Sequence, residues 1–302
     1  LVVVRARDVW AGFTHGKPHV QCVDHVVVCA GQESYVPTDL KHPNLIVIGG
    51  GAAGLVSAYI AAVVKAKVTL VEAHKMGGDC LNYGCVPSKA LIKSANLAHK
   101  MKHADRYGLT PASPDVRFKA VMTRVQAVVK QVAPHDSVER YTALGVDVVS
   151  GHAIIVNPWT VEITDAQGNK QTLTTRSIVI AAGAKPLVPP LPGLDTVGYL
   201  TSDTLWEAFA ARDTLPQRIV VLGGGPIGCE LAQAFQRLGS QVIQVERGGR
   251  LLPREDANAS EAVMASLRAD GVDLRLQHQA ERFEVVDGET RMIARNLETG
   301  EP

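Results

Sequence analysis

Cys80 and Cys85 stand five positions apart in the stretch GGDCLNYGCVPSKAL, residues 77–91. Three chemistries fit such a pair: a redox-active disulfide, half of a zinc site, or plain buried packing. Five residues of regular helix rise about 7.5 Å, whereas bridged cysteines need Cα atoms within about 7 Å. A disulfide here therefore requires a break in the helix between them. Asn82 and Gly84 lie in the interval, and both tolerate unusual backbone angles. At a helix start the positive end of the dipole would favour a thiolate. Zinc would need two more ligands. Cys22 and Cys29 are too widely spaced for a knuckle, and His15, His19 and His25 read as solvated, so no metal site is expected. Buried packing leaves the Gly77-Gly78 pair, Asn82 and Pro87 unexplained.

The elements needed to position such a pair lie on either side of it. Residues 45–48, LIVI, form a short apolar run that suits a buried parallel strand. Gly49, Gly51 and Gly54 follow in the pattern G-x-G-x-x-G, then an alanine-rich helix near 52–64, then a strand at 67–72 ending in Glu72. Such a loop turns tightly at its first glycine, admits a pyrophosphate at its second, and packs helix on strand at its third. The helix N-terminus would face the phosphates, and Glu72 could accept from ribose hydroxyls. The pattern recurs at Gly223, Gly225 and Gly228, with Glu246 closing the second strand, 174 residues on from Gly49 to Gly223. An acid in that place repels a 2′-phosphate, so NAD(H) is favoured over NADP(H). Arg247 and Arg250 nearby work against that preference.

Between the repeats, residues 80–102 read as a helix carrying the cysteine pair and 117–142 as a more amphipathic one. Residues 145–181 read as strands joined by turns. PLVPPLPG at 186–193 reads as an extended crossing segment. After the second repeat come a helix at 255–270, a strand at 273–277 and a final meander with turns at Asp287-Gly288 and Thr299-Gly300. The expected fold is α/β: two Rossmann-like, doubly wound dinucleotide-binding domains with an inserted β-meander. The expected division is a segment 1–42 of uncertain role, a first dinucleotide-binding domain 43–190 and an NAD-binding domain 191–302, incomplete at its C-terminus.

Composition fits this picture. The 302 residues are 46% hydrophobic and 20% charged, with net charge +1. No basic surface calls for nucleic acid. Five cysteines are too few for a secreted disulfide scaffold, which points to a reducing, cytoplasmic setting. No charged n-region with a long apolar run follows Leu1, so no signal peptide is expected, and the apolar stretch near 52–64 reads as a buried helix rather than a membrane span.

With these residues in view, the chain resembles the flavoprotein pyridine-nucleotide disulfide oxidoreductases, among them lipoamide dehydrogenase, glutathione reductase and mercuric reductase. Their signature, G-G-T-C-L-N-x-G-C-x-P-S-K, is similar to residues 77–89 nearly throughout. IVIAAGAKPLVPPLPG at 178–193 resembles the segment that closes over FAD, with Ala182 where threonine is usual and Gly183 after it. Ala153 falls where relatives contact the adenine. GGGPIGCELAQAF at 223–235 is similar to the NAD loop and its helix. The resemblance spans about 43–302.

The resemblance implies an enzyme in which NAD(P)H reduces FAD, and FAD reduces the Cys80–Cys85 disulfide. Cys85 would face the flavin and Cys80 would attack substrate. FAD contacts would fall on Gly49, Gly51, Ala53 and Gly54, on Glu72, Gly78 and Asp79, and on Lys89, Ala153, Ala182 and Gly183. NAD contacts would fall on Gly223, Gly225, Ile227, Gly228 and Glu246. Lys89 and Glu230 would stand near the isoalloxazine and nicotinamide; otherwise Lys89 is a solvated helix lysine and Glu230 a surface acid. The implied substrate is a small-molecule or protein disulfide, or a metal ion, and full-length relatives are homodimeric.

The departures carry their own expectations. Asp79 replaces threonine beside Cys80, and its carboxylate should raise the Cys80 pKa. Tyr83 replaces a small residue. The family's second FAD segment and its dimerisation domain, with a His–Glu pair, are not among these residues, so the chain reads as a fragment or as incomplete in chemistry. Residues 23–31, VDHVVVCAG, have the composition of a strand closing the second nucleotide domain and are expected to dock beside 218–222.

Overall fold

The computed structural model describes residues 42–301 and, ahead of them, the strands β1 (Val2–Val4), β2 (Gln21–Val23) and β3 (Val26–Cys29). The histidines at 15, 19 and 25 lie outside the described residues. The chain forms two compact units. One holds β2, β3, residues 42–86 and Val129–Ala184; the other holds β1, Pro87–Val128 and Lys185 to residue 301. Helical residues 87–128 thus group with the second unit.

The first unit is built on the glycine-loop repeat at 45–72. Here β4 (Leu45–Ile48), α1 (Ala52–Val63) and β5 (Val68–Glu72) make a right-order βαβ unit. A five-residue helix, α2 (Gly78–Asn82), and an 18-residue one, α3 (Cys85–Lys102), follow, the latter continuing into the second unit. Most of α4 (Phe118–Val132), up to Val128, lies in that unit. The chain returns to the first unit with α5 (Val138–Ala143), β6 (Val146–Ser150), β7 (His152–Asn157), β8 (Thr160–Thr164), β9 (Lys170–Thr174) and β10 (Ser177–Ile180). Strand order is β2-β3-β10-β4-β5-β6, with β7-β8-β9 as a separate antiparallel meander. Strands β10, β4, β5 and β6 are mutually parallel.

Alternation along these strands divides the core into two layers. Val47, Leu70 and Val179 pack with Leu55 and Ala58 of α1 and with Tyr141 of α5. Their neighbours Ile46, Val71 and Ile178 point the other way, onto Val161 and Ile163 of the meander. Both faces of the sheet are covered, which is why LIVI and VTLVE read as nearly continuous apolar runs.

The second unit continues with α6 (Leu194–Val197), β11 (Leu200–Thr201), α7 (Ser202–Ala210), β12 (Arg218–Leu222), α8 (Pro226–Leu238), β13 (Gln241–Val245), α9 (Ala257–Ala269) and β14 (Asp273–Arg275). Its parallel sheet has the order β11-β1-β12-β13-β14. Phe209 of α7 meets Phe118 of α4 and Phe235 of α8 edge-on, at 5.7 and 5.2 Å between centroids. These three rings, all fully buried, anchor α4, α7 and α8 to one another. The hairpin of β15 (His278–Val286) and β16 (Glu289–Asn296) turns at Asp287-Gly288, both left-handed, as a tight hairpin requires.

Two Rossmann-like sheets with an inserted meander are thus present. Three local expectations are corrected. The helix expected over 80–102 is two helices, interrupted at Tyr83-Gly84. The helix expected over 117–142 ends at Val132, and a single 3-10 turn at Ala133–Asp136, holding Pro134, separates it from α5. Strand Val26–Cys29 does not join the 218–222 sheet; it pairs antiparallel with β10, Val179 opposite Val28, and with β2. Only two residues separate β2 from β3, so the pair forms as an antiparallel ribbon and completes the open edge of β10. The strand beside β12 is β1, with Val2 opposite Val220.

Candidate functional site

Three features of the first unit converge on its glycine loop. The first is the loop itself. Gly49 has φ +107°, and a Cβ there would fall 2.1 Å from the Ala181 carbonyl oxygen. A Cβ on Gly54 would fall 1.8 Å from the Gly49 oxygen. Both glycines are therefore required by the fold. Gly51 is different: its backbone is extended, and a Cβ would meet only the Gly78 Cα, at 3.6 Å. The fold alone does not demand glycine there, and the space it leaves suits a close-approaching phosphate. Gly51 is the N-cap of α1 with no side-chain cap, so the N–H groups of Ala52 and Ala53 open outward. Glu72 closes the cradle, accepting from Gly50 N–H at 2.5 Å and His74 N–H at 2.7 Å. Each carboxylate oxygen keeps acceptor capacity for a ribose hydroxyl. The residues present fit a dinucleotide.

The second feature borders this cradle. Ala181 N–H donates to Ile48, which brings Ala182 and left-handed Gly183 beside the loop. Gly151 N–H donates to the Glu72 carbonyl, which carries Ala153 to the same end of β5.

The third feature is the thiol pair. Gly77 and Gly78 are both left-handed, and Gly77 N–H donates to Gly50 at 2.8 Å. A Cβ on Gly78 would stand 2.5 Å from the Gly51 Cα. The cysteine segment thus lies flush against the glycine loop, a contact only glycine permits. Asn82 Nδ2 donates to the carbonyls of Met76 and Gly78, at 3.1 and 2.9 Å, and folds α2 onto its own entry turn. Tyr83 and Gly84 N–H groups both end on the Asp79 carbonyl, which stops α2. A new helix then begins at Cys85. This is the interruption that the five-residue spacing demanded.

Both cysteines are thiols in this structure, Cys80 half-buried and Cys85 exposed. Burial, together with a hydrogen bond to Cys85 and the charge of Cys85, pushes the Cys80 thiol up to about 11. The neighbouring carboxylate that adds to this is Asp136, not Asp79 as expected. The side chain of Asp79 turns toward Gly183 instead: a Cβ there would be 4.0 Å from Oδ2. Asp136 lies too far along the chain from Cys80 to leave a local signal in the sequence.

The second unit repeats the first loop closely. Gly223 is left-handed, and a Cβ on Gly228 would come within 2.7 Å of its oxygen. Gly225 caps α8 without a side-chain bond, and Ile227 is half-exposed in the first turn. Glu246 accepts from Gly224 N–H at 2.6 Å and Gly248 N–H at 2.7 Å, matching Glu72 bond for bond. Arg250 is turned away to the Pro253 carbonyl, and Arg247 is exposed. Beneath the loop, buried Gln244 donates to the Gly223 oxygen at 3.0 Å. Lys89 and Glu230 form a two-pronged ion pair, Nζ to Oε1 at 2.8 Å and to Oε2 at 2.7 Å. Among the described residues no group of three metal-ligating side chains occurs, and no helix is long and apolar enough to cross a membrane.

Comparison with known proteins agrees with this geometry. Residues 43–301 match the family model described as pyridine nucleotide-disulphide oxidoreductase. The chain is 35% identical to a mercuric reductase of Bacillus cereus over 250 residues, covering 83% of this chain and 38% of that protein. It is 35% identical to a dihydrolipoyl dehydrogenase of Bacillus subtilis (strain 168) over 240 residues, covering 76% of this chain and 49% of that one. The solved Cu(II) complex of the HOCl-induced flavoprotein disulfide reductase RclA from Escherichia coli superposes with a TM-score of 0.69. It is 27% identical, with 84% of this chain and 53% of that one covered. The chain spans about half, or less, of the length of these relatives.

Proposed function

Since the chain belongs to the pyridine nucleotide-disulphide oxidoreductase family, we propose that it passes electrons from NAD(P)H through FAD to a disulfide formed by Cys80 and Cys85. The observation that carries this reading is the thiol pair, placed on either side of a helix break with its segment set flush on the Gly49–Gly54 cradle.

When bound, FAD supplies a two-electron relay between nicotinamide and sulfur. The chain's own residues do the rest. Gly51 and the first turn of α1 would hold the pyrophosphate and Glu72 the ribose. Ala153, Ala182 and Gly183 would border the cofactor, together with Gly78 and Asp79. Gly225, Ile227 and Glu246 would hold the nicotinamide nucleotide, and the Glu246 carboxylate favours NAD(H) by repelling a 2′-phosphate. Lys89 and Glu230 would serve at the transfer site itself.

Reducing the disulfide takes two electrons and two protons and yields the two thiols. In the return step Cys80, as thiolate, attacks one sulfur of the substrate disulfide and releases the other as a thiol; Cys85 then attacks the Cys80 sulfur of this mixed disulfide, reforms the Cys80–Cys85 bond and releases the second thiol. A thiol held near 11 is mostly protonated at neutral pH, so Cys80 needs a proton acceptor in that step. The substrate class is a small-molecule or protein disulfide, or a metal ion, and the setting a reducing cytoplasm.

The visible spectrum of the purified chain tests the reading. Bound flavin gives a yellow protein that dithionite bleaches. A colourless preparation that takes up neither FAD nor NADH would end it, and stoichiometric zinc would replace it.

A further inference from the structure

Two helical turns from the Lys89–Glu230 pair lies a second charged cluster with no part in the reading above. Asp270 is the C-cap of α9, and its side chain is only 4% exposed. Its Oδ2 accepts from Arg237 Nε and Nη2, both at 2.8 Å, and from Gln233 Nε2 at 2.7 Å. Its Oδ1 lies 3.1 Å from His99 Nδ1. Arg237 Nη1 also donates to Asn96 Oδ1. Asn96 and His99 belong to α3, Gln233 and Arg237 to α8. One buried carboxylate therefore ties three helices together. Removing it would leave a guanidinium in a largely buried place without its counter-charge, a strongly unfavourable state.

The spacing gives the cluster its consequence. Lys89 and Glu230 are 141 residues apart in sequence, and so are Asn96 and Arg237. Constant separation means that α3 and α8 run parallel and in step. The two contacts lie seven residues, or about 10.5 Å, apart along each helix. The upper contact is exposed, with Lys89 at 59% and Glu230 at 39%. An exposed ion pair is too weak to hold two helices in register by itself.

We propose that Asp270 is a positioning residue: through Arg237 and His99 it fixes the register of α3 against α8, and so holds Lys89 against Glu230. The proposal deepens the reading of Lys89 and Glu230 as groups at the electron-transfer site and rests on that reading for its functional meaning.

Acylation of Lys89 by an N-hydroxysuccinimide ester, followed by mass spectrometry on the full chain, reads the pair without any bound cofactor. Asp270→Ala is expected to raise the Lys89 labelling rate about twofold, the scale of an exposed pair. In a Glu230→Gln background the same substitution leaves the rate unchanged. Asp270→Asn, which keeps one acceptor for Arg237 but not the counter-charge, falls between the wild-type and Asp270→Ala rates. Lys93 and Lys100 on the same helix are the internal controls. An unchanged Lys89 rate in folded Asp270→Ala, or an equal rise with and without Glu230, overturns the proposal. If Asp270→Ala does not fold, the double variant Asn96→Leu, His99→Leu removes both α3 contacts, leaves Asp270 on Arg237, and is held to the same comparison. Failure to bind flavin would sink the proposed function and leave this labelling result standing.

Discussion

Cys80 sets the pH behaviour of the thiol pair. Its pKa rises from 9.0 to about 11, by burial first and by Cys85 next, with Asp136 adding to it. A thiol whose folded pKa is raised holds its proton better in the folded state. Its stabilising contribution is complete below pH 9 and is lost as pH rises through about 11. The reduced protein should therefore lose stability over that window, and Cys80→Ser should lose less, as denaturant melts across pH will show. Asp136→Asn removes one raising charge, so alkylation of Cys80 should speed up at pH 8 relative to Cys85. No change in that ratio would mean that Asp136 does not act on the thiol. At the other cradle, Glu246 accepts two backbone N–H groups, and on the proposed reading it would also hold the ribose. Glu246→Ala should raise the KM for NADH about tenfold, the scale of a lost charge-assisted hydrogen bond, and relax discrimination against NADPH. Tighter binding of NADPH than NADH by the unmutated protein would contradict the assignment.

At the scale of elements, the contact between the cysteine segment and the glycine loop is the most exacting. Gly78→Ala combines a left-handed backbone with a Cβ 2.5 Å from the Gly51 Cα. It should cost at least about 1–3 kcal/mol and slow disulfide closure, measurable by chemical denaturation and by thiol oxidation rate. Gly288→Ala, left-handed but in open space, is the control for backbone strain alone. His99 gives a second handle. Burial, then Arg237, hold its pKa below 6.5. Stability should therefore be full above pH 6.5 and fall as pH drops through the lower folded value. The glycine loops were legible because they are local: strand, glycines, helix and terminal acid follow in order. The break at Tyr83-Gly84 was legible only as a condition, since a five-residue spacing cannot bridge in a continuous helix, while the apolar pattern over 80–102 reads as one helix. The Asp270 cluster was not legible. Its partners are scattered over three helices, and each, taken alone, reads as one more polar residue on a solvated face.

At the scale of the whole molecule, the two sheets follow from the repeat at Gly49 and Gly223, and the meander between them from its turn residues. The pairing of the N-terminal strands did not follow. A valine-rich run fits any open parallel or antiparallel edge, and the choice lies with edges formed far along the chain: β3 goes to β10, and β1 to β12. The account stands on one claim, that the Cys80–Cys85 pair exchanges electrons with NADH through flavin. The direct measurement is a count of free thiols in the oxidised, flavin-loaded protein before and after anaerobic NADH, with a flavin-free sample alongside. The account predicts two new thiols, at Cys80 and Cys85, in the flavin-loaded sample only. New thiols without flavin, none with it, or an increase that survives in Cys85→Ser would contradict it.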